Sequence, residues 1–397
     1  MPGTKVYRLA STTWTEAEQQ AIVEIARDQR TTMGEAVFTF EREFASFMGS
    51  KYAVMVNSGS SANLLMVAAL MYSQQGAHLK PGDEVIVPAL SWPTTYYPLQ
   101  QYGLALRFVD IDLLTLNYDL EAFASAITDR TRAIVAVNLL GNPNDFDAIR
   151  NIIGGRDIIL LEDNCESMGA RYKGQYAGTF GVMGTFSFFF SHHISTMEGG
   201  MIVTSDDHLH DILLCLRAHG WTRNLDKRNT LCVKSDDPFE ESFRFLLPGY
   251  NVRPLEMEGA IGLEQLRKFP AFLEARRANA EHFLTLFGNH PYMIVQKAIG
   301  DPSWFGFSLV LRPDAPFDRK TLVQTLQSNN IECRKIVSGN FVSKDVIRYF
   351  NYSVAGTLRN AEYVDTHGLF IGNDQLDHRE DLERVLRVLN ELAGGRS

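Results

Sequence analysis

Short apolar runs recur between about residues 50 and 205, each followed by a helical or loop segment. The runs are Ala53–Val56, Glu84–Pro88, Leu106–Val109, Ala133–Val137, Ile158–Glu162, Thr185–Phe189 and Met201–Thr204. Several are apolar at nearly every position, the pattern of strands covered on both faces. Their order predicts an α/β sheet with crossover helices. Upstream, Thr15 and Glu18 form a capping-box pattern ahead of Ala21-Ile22 and Ile25-Ala26, which starts a helix. The pattern changes after about residue 255. Leu255–Phe269 and Phe272–Phe287 read as helices parted by Pro270. A strand (Phe307–Leu311), a helix (Asp318–Ser328), a short strand (Ile331–Lys335) and an amphipathic helix follow, the last with Leu382, Val385, Leu386, Leu389 and Leu392 at helical spacing. A long helix near 255–287 would join two domains, a large α/β domain over residues 1–260 and a smaller C-terminal α+β domain over 261–397.

Composition narrows the class. The 397 residues are 45% apolar and 21% charged, ordinary for a globular chain. A net charge of −9 without a basic block argues against nucleic acid or an anionic membrane as partner. No apolar stretch has the length to span a bilayer, and Met-Pro-Gly-Thr-Lys at the start lacks the core of a signal peptide, so a cytoplasmic protein is expected. Cys165, Cys215, Cys232 and Cys333 are 50, 17 and 101 residues apart, so no pair has metal-ligand spacing.

Three segments carry candidate chemistry. Asn57-Ser-Gly-Ser-Ser-Ala-Asn63 follows a strand and opens an apolar helix, Leu64–Tyr72. Small residues there suit an anion at a helix N-terminus, and equally a glycine turn with a serine cap. Asp163 ends the run beginning at Ile158, with Glu162 before it and Glu166 three residues on. A carboxylate at the C-terminal end of a buried strand points into a ligand crevice, or caps a helix. Thr185-Phe-Ser-Phe-Phe-Phe-Ser-His192-His193 leads to Gly199-Gly200; the phenylalanines read as plain core packing, and a single histidine there as a core residue.

Taken together, in this order and spacing, the segments resemble the sugar aminotransferases of the DegT/DnrJ/EryC1/StrS family, fold-type-I pyridoxal-phosphate enzymes. Pro81-Gly-Asp-Glu-Val-Ile-Val-Pro88, Phe108-Val-Asp-Ile-Asp112, Leu139-Leu-Gly-Asn-Pro143 and Gly249-Tyr-Asn-Val-Arg253 extend the resemblance over roughly residues 10 to 395. It implies the type I fold, with a mostly parallel central sheet in the large, cofactor-binding domain. The departure is at His192. The family has a lysine there, in the frame Ser-Phe-x-x-x-Lys, and that lysine binds the cofactor covalently. An imidazole cannot do so, yet it can move a proton near neutral pH.

The pattern is similar to the family's dehydratase branch, which removes the C3 hydroxyl of nucleotide-linked 4-keto-6-deoxy sugars. One type in that branch carries an iron–sulfur cluster and needs closely spaced cysteines, which this chain lacks. Arg217-Ala-His-Gly-Trp-Thr-Arg223, Ser195-Thr-Met-Glu-Gly-Gly200 and Ser338-Gly-Asn-Phe341 look like the cluster-free type, which acts on GDP-4-keto-6-deoxy-D-mannose in the colitose pathway. The resemblance implies pyridoxal 5'-phosphate, held without a covalent link and converted to pyridoxamine 5'-phosphate by L-glutamate.

It also assigns residues. Gly59, Ser60 and Ser187 hold the phosphate, Trp92 covers the ring, Asp163 pairs with the ring nitrogen, and Glu166 lies near the ring hydroxyl. His192 is the catalytic base. Asn251 reaches the phosphate from the partner subunit of a homodimer with active sites at the interface. His219, Arg223 and Arg334 are candidate substrate contacts, and no metal is expected. A sugar aminotransferase and a non-catalytic binding protein are the competing readings. The nucleotide (GDP, CDP or dTDP) and the role of His193 stay open.

Overall fold

The computed structural model describes residues 5–394; the first four residues of the N-terminal stretch read above lie outside them. Along the chain, β1 (Tyr52–Val56), β2 (Glu84–Pro88), β3 (Ala105–Val109), β4 (Thr131–Val137) and β5 (Ile159–Asp163) alternate with helices. A small ribbon of β6 (Arg171–Tyr172) and β7 (Gln175–Tyr176) precedes β8 (Met183–Ser187) and β9 (Gly200–Thr204). The C-terminal third adds β10 (Met293–Ile294), β11 (Gly306–Leu311), β12 (Cys333–Arg334), β13 (Tyr352–Val354) and β14 (Gly368–Gly372).

Eight strands form one sheet in the order β1-β9-β8-β5-β4-β2-β3-β13, and four form a second, β10-β11-β14-β12. In the large sheet only the β1–β9 and β8–β9 pairs are antiparallel; the other pairs are parallel. The unbroken apolar runs have the cause expected of them. β2 and β9 are buried at every position because helices cover both faces of the sheet. Helix Gly59–Tyr72 is apolar around its circumference and buries Ala62, Leu65, Met66 and Leu70 between sheet and neighbours.

Thr15 closes its predicted capping box with Glu18, at the start of helix Glu16–Asp28. The two helical segments on either side of Pro270 are one 32-residue helix from Glu256 to Phe287, the long helix anticipated there. An interior proline costs a helix about 3 kcal/mol. Here the helix buries Leu266 and Phe269 in one cluster and Ala280, Phe283 and Phe287 in another, beneath the small sheet. Several such side chains, each worth about 1.5–3 kcal/mol, outweigh the proline. The C-terminal third also returns to the large sheet, where β13 pairs with β3.

The phenylalanine run is core only in part. Phe186 and Phe188 are fully buried against Phe40 and Phe44, with ring centroids 5.2–5.6 Å apart. Phe189 and Phe190 are 45% and 49% exposed, because the strand ends at Ser187 and the chain turns. No helix among the described residues is long and apolar enough to cross a membrane.

Candidate active site

The parallel strands β4, β5 and β8 end level with one another: Val137 lies opposite Asp163, and Asp163 opposite Thr185. Antiparallel β9 brings Gly200 beside both Val56 and Ser187. The N-terminus of helix Gly59–Tyr72, which follows β1, is thereby set against the end of β8. A cavity of about 570 Å³ opens at these strand ends, lined among others by Ser60, Trp92, Asp163, Glu166, His192 and Arg334. That is where ligands bind in open α/β sheets.

Gly59 has to be glycine. A Cβ there would lie 2.5 Å from the Ser187 Cβ. The helix N-terminus can approach β8 this closely only without a side chain, and it leaves a cradle of backbone N–H groups with the hydroxyls of Ser60 and Ser187. Ser58 caps the helix by accepting from the Ser61 N–H, and Ser60 Oγ donates to Thr94 Oγ1 at 3.2 Å.

Asp163, the last residue of β5, is held by three hydrogen bonds. Its Oδ2 accepts from Asn63 Nδ2 at 2.9 Å and from Thr95 Oγ1 at 2.7 Å; its Oδ1 accepts from the Cys165 N–H at 3.2 Å. Asn63 is oriented in turn by accepting from Thr185 Oγ1 at 2.6 Å. These bonds fix a buried carboxyl in one orientation, placed to pair with a cationic group in the cavity. Glu166 accepts from the Leu140 N–H at 3.0 Å. Burial, then the nearby charge of Asp163, raises its carboxyl to about 7. The carboxyl can therefore carry or release a proton near neutrality. Trp92 is 58% exposed, a free indole at the start of helix Pro93–Gln101.

His192 sits in the turn after β8. Its ring meets Phe305 edge-on at 5.3 Å and Phe189 at 6.2 Å, and Nδ1 has no hydrogen-bond partner among the described residues. Burial, and then the charge of Arg276, lower its pKa to about 4. At neutral pH the ring is uncharged, the form that accepts a proton. His193 faces away from the cavity: it is buried, and its Nε2 lies 3.2 Å from the Ser303 carbonyl. Adjacent side chains diverge here, so the paired histidines divide into one cavity residue and one packing residue.

Arg334 lies on the cavity wall at the end of β12. His219, Arg223 and Asn251 do not line the cavity of a single chain. They share a patch around Trp221: His219 packs on that ring at 4.7 Å, the Arg223 guanidinium lies 4.5 Å from it, and Asn251 accepts from Arg253 Nε at 3.0 Å. Asn63, Thr95, Phe305 and Lys335 were missed in the sequence. Only Asn63 had a signal, as the last residue of the serine-rich segment. Lys335 is the cavity's lysine, paired with Asp365 at 3.1 Å.

A phosphate cradle at a helix N-terminus, a fixed carboxylate and an exposed indole around one cavity suit a phosphorylated, protonated heteroaromatic cofactor. The chain belongs to the DegT/DnrJ/EryC1/StrS aminotransferase family, whose model matches residues 12–390, and it has the type I α/β fold of pyridoxal-phosphate enzymes. It is 60% identical over 385 residues to the GDP-4-keto-6-deoxy-D-mannose 3-dehydratase of Escherichia coli O55:H7, covering 96% of this chain and 99% of that one. The same-named protein of Yersinia pseudotuberculosis is 59% identical over 97% of this chain and 98% of its own length. A crystal structure of a GDP-4-keto-6-deoxymannose-3-dehydratase with a trapped PLP–glutamate geminal diamine superposes with a TM-score of 0.95 at 59% identity, covering 96% of this chain and all of the other.

Proposed function

We propose that this chain is a PLP/PMP-dependent 3-dehydratase that removes the C3 hydroxyl of GDP-4-keto-6-deoxy-D-mannose, with L-glutamate as amino donor. The likeness to the two dehydratases supports the reaction, and one feature of the cavity carries it: an imidazole, His192, lines it, at the position where the sequence resemblance puts the cofactor-binding lysine of a family aminotransferase. When bound, the cofactor would supply an amine for the sugar C4 ketone and an electron sink for the electron pair left behind when the next proton is removed. Gly59, Ser60 and Ser187 hold its phosphate, Trp92 covers its ring, and Asp163 keeps the ring nitrogen protonated. Glu166 gives or takes a proton near the ring hydroxyl. His192, uncharged and without a bond at Nδ1, takes the proton whose removal leads to loss of the C3 hydroxyl, and returns it to that leaving group. With an imidazole rather than a lysine at position 192, and Lys335 paired with Asp365, nothing recaptures the cofactor, and the aminosugar would be released and hydrolyse. The sugar loses one oxygen, glutamate becomes 2-oxoglutarate, and ammonia leaves.

The finer parts of the reading belong to the same proposal. The active form is a homodimer, with Asn251 and the patch of His219, Arg223 and Arg253 facing the partner's cavity. Exposed Phe239, Phe243 and Val233 (82%, 68% and 89%) support a covering partner for that side of the chain. Arg334 binds a substrate anion. The substrates, a nucleotide sugar and glutamate, place the reaction in the cytoplasm, in dideoxysugar synthesis of the colitose type for the lipopolysaccharide O-antigen. The test is the mass of the product from PLP, excess L-glutamate and GDP-4-keto-6-deoxymannose. Loss of one oxygen with release of ammonia is expected; a product that gains an amino group, or unchanged substrate, overturns the proposal.

A further inference from the structure

Arg276 is 1% exposed, in the middle of helix Glu256–Phe287, and lines no part of the cavity. A cation so deep is costly unless it is hydrogen-bonded; its Nε has no partner among the described residues, and its bonds are concentrated at Nη1. Its Nη1 donates to three carbonyls: Trp304 and Phe305, each at 3.3 Å, and Asn373. Asn373 reinforces the same turn by donating to the Trp304 carbonyl at 2.8 Å and is itself held by Asn279 at 3.1 Å. The turn they grip is strained. Trp304 has φ of 49°, a left-handed conformation that a bulky residue holds only when its surroundings impose it.

That turn touches both groups given proton-transfer roles above. On one side the Phe305 ring sets the edge-on contact with His192 at 5.3 Å. On the other, the Phe305 N–H donates to the Leu140 carbonyl at 3.0 Å and the Ser303 N–H to the Gly141 carbonyl at 2.9 Å. Leu140 is the residue whose N–H holds Glu166. The approach is close enough that a Cβ on Gly141 would lie 2.5 Å from the Trp304 nitrogen.

We infer that Arg276 is a positioning residue for the dehydration: by clamping the strained Ser303–Phe305 turn it sets the plane of the His192 ring and the place of the Leu140 N–H that orients Glu166. The inference rests on the function proposed for His192 and Glu166. The Arg276 charge also opposes a charge on His192. Other ionisable groups around that ring are His193 beside it, Asp163 at the end of β5 with Cys165 and Glu166 just beyond it, Glu198 on its own loop, and Arg334 and Lys335 on the small-sheet wall. None of these changes in the variants below.

The experiment compares full-length wild type with Arg276→Lys, Arg276→Met and Phe305→Leu. Folding is checked by circular dichroism, and cofactor affinity by absorbance with pyridoxamine phosphate. Arg276→Met is expected to lower kcat 10- to 100-fold with KM and cofactor affinity within threefold of wild type, and to move the acid limb of the pH–kcat profile upward, with burial still holding it below the ordinary imidazole value. Arg276→Lys, which keeps the charge, is expected to leave the limb in place and restore part of kcat. Phe305→Leu keeps the cation and removes the ring contact. It is expected to lower kcat without moving the limb, and it carries the test if Arg276→Met does not fold. A separate readout needs no turnover: the imidazole nitrogen-15 shifts of His192, assigned with His192→Asn, should titrate at higher pH in Arg276→Met than in wild type. Wild-type kinetics in Phe305→Leu, an unmoved His192 titration in a folded Arg276→Met, or a Lys variant no better than Met would overturn the inference. Failure of the wild type to dehydrate would instead overturn the proposed function, and the titration would still judge the clamp.

Discussion

Replacing Glu166 by glutamine should make the protein more stable, and only on the alkaline side. The carboxyl lies at about 7 in the folded protein against an ordinary value of 4.5, chiefly through burial and then through the charge of Asp163. A difference of that size corresponds to about 3 kcal/mol of preference for the protonated form. The side chain is partly open to the cavity, and screening by water there reduces the expected figure to about 1–3 kcal/mol. The sign follows from proton counting. Below 4.5 both folded and unfolded states hold the proton, and the ionisation costs nothing. Between 4.5 and 7 the unfolded chain has released a proton that the folded one retains, so stability falls as pH rises. Above 7 the folded protein carries the full penalty of a buried carboxylate. Glutamine is neutral throughout, and its carbonyl can still accept from the Leu140 N–H. The difference in stability between Glu166→Gln and wild type, both freed of cofactor, should therefore be near zero at pH 4.5–5 and reach about 1–3 kcal/mol at pH 8.5. Thermal midpoints across that range read it as a few degrees opening toward high pH. A difference that is constant with pH, or one that closes as pH rises, refutes the assignment of a raised carboxyl to Glu166.

Three other substitutions probe the rest of the cavity. His192→Lys should abolish dehydration and gain a covalent cofactor link, detected as the added cofactor mass after borohydride reduction; normal dehydration by this variant would remove His192 from its role. Gly59→Ala puts a Cβ 2.5 Å from Ser187 and should cost about 1–3 kcal/mol in stability with at least a tenfold loss of cofactor affinity; an unchanged affinity would place the phosphate elsewhere. Asp163→Asn keeps the shape but loses the charge, and should weaken cofactor binding tenfold or more while leaving Glu166 closer to its ordinary value, visible as a basic limb of the pH–rate profile at lower pH.

What was legible in the sequence depended on the distance over which each feature is decided. β2 was delimited correctly, because a strand covered on both faces writes its burial into consecutive residues. Gly59, Asp163 and Ser187 were legible as cavity-lining positions for a related reason. Each lies at the end of such a run or just beyond it, and in a parallel sheet those ends converge. β13 was not legible: three residues, the first of them 40% exposed, form a strand only because β3 offers an edge. Pro270 shows the opposite balance: local chemistry favours a break there, and distant burial keeps the long helix continuous. The hardest case is Arg276. In the chain it is one of an adjacent pair, Arg276-Arg277, on a helix with both polar and apolar faces. Nothing local tells the two apart, yet Arg276 is buried and Arg277 is not. The distinction is made by Trp304, Phe305 and Asn373, which present carbonyls to Arg276 from 28, 29 and 97 residues away. A catalytic residue at a strand end is announced by its own neighbourhood. A residue that acts by holding the neighbourhood still has no such signature, and it becomes visible only when the carbonyls it binds are traced forward to the rings and N–H groups they place.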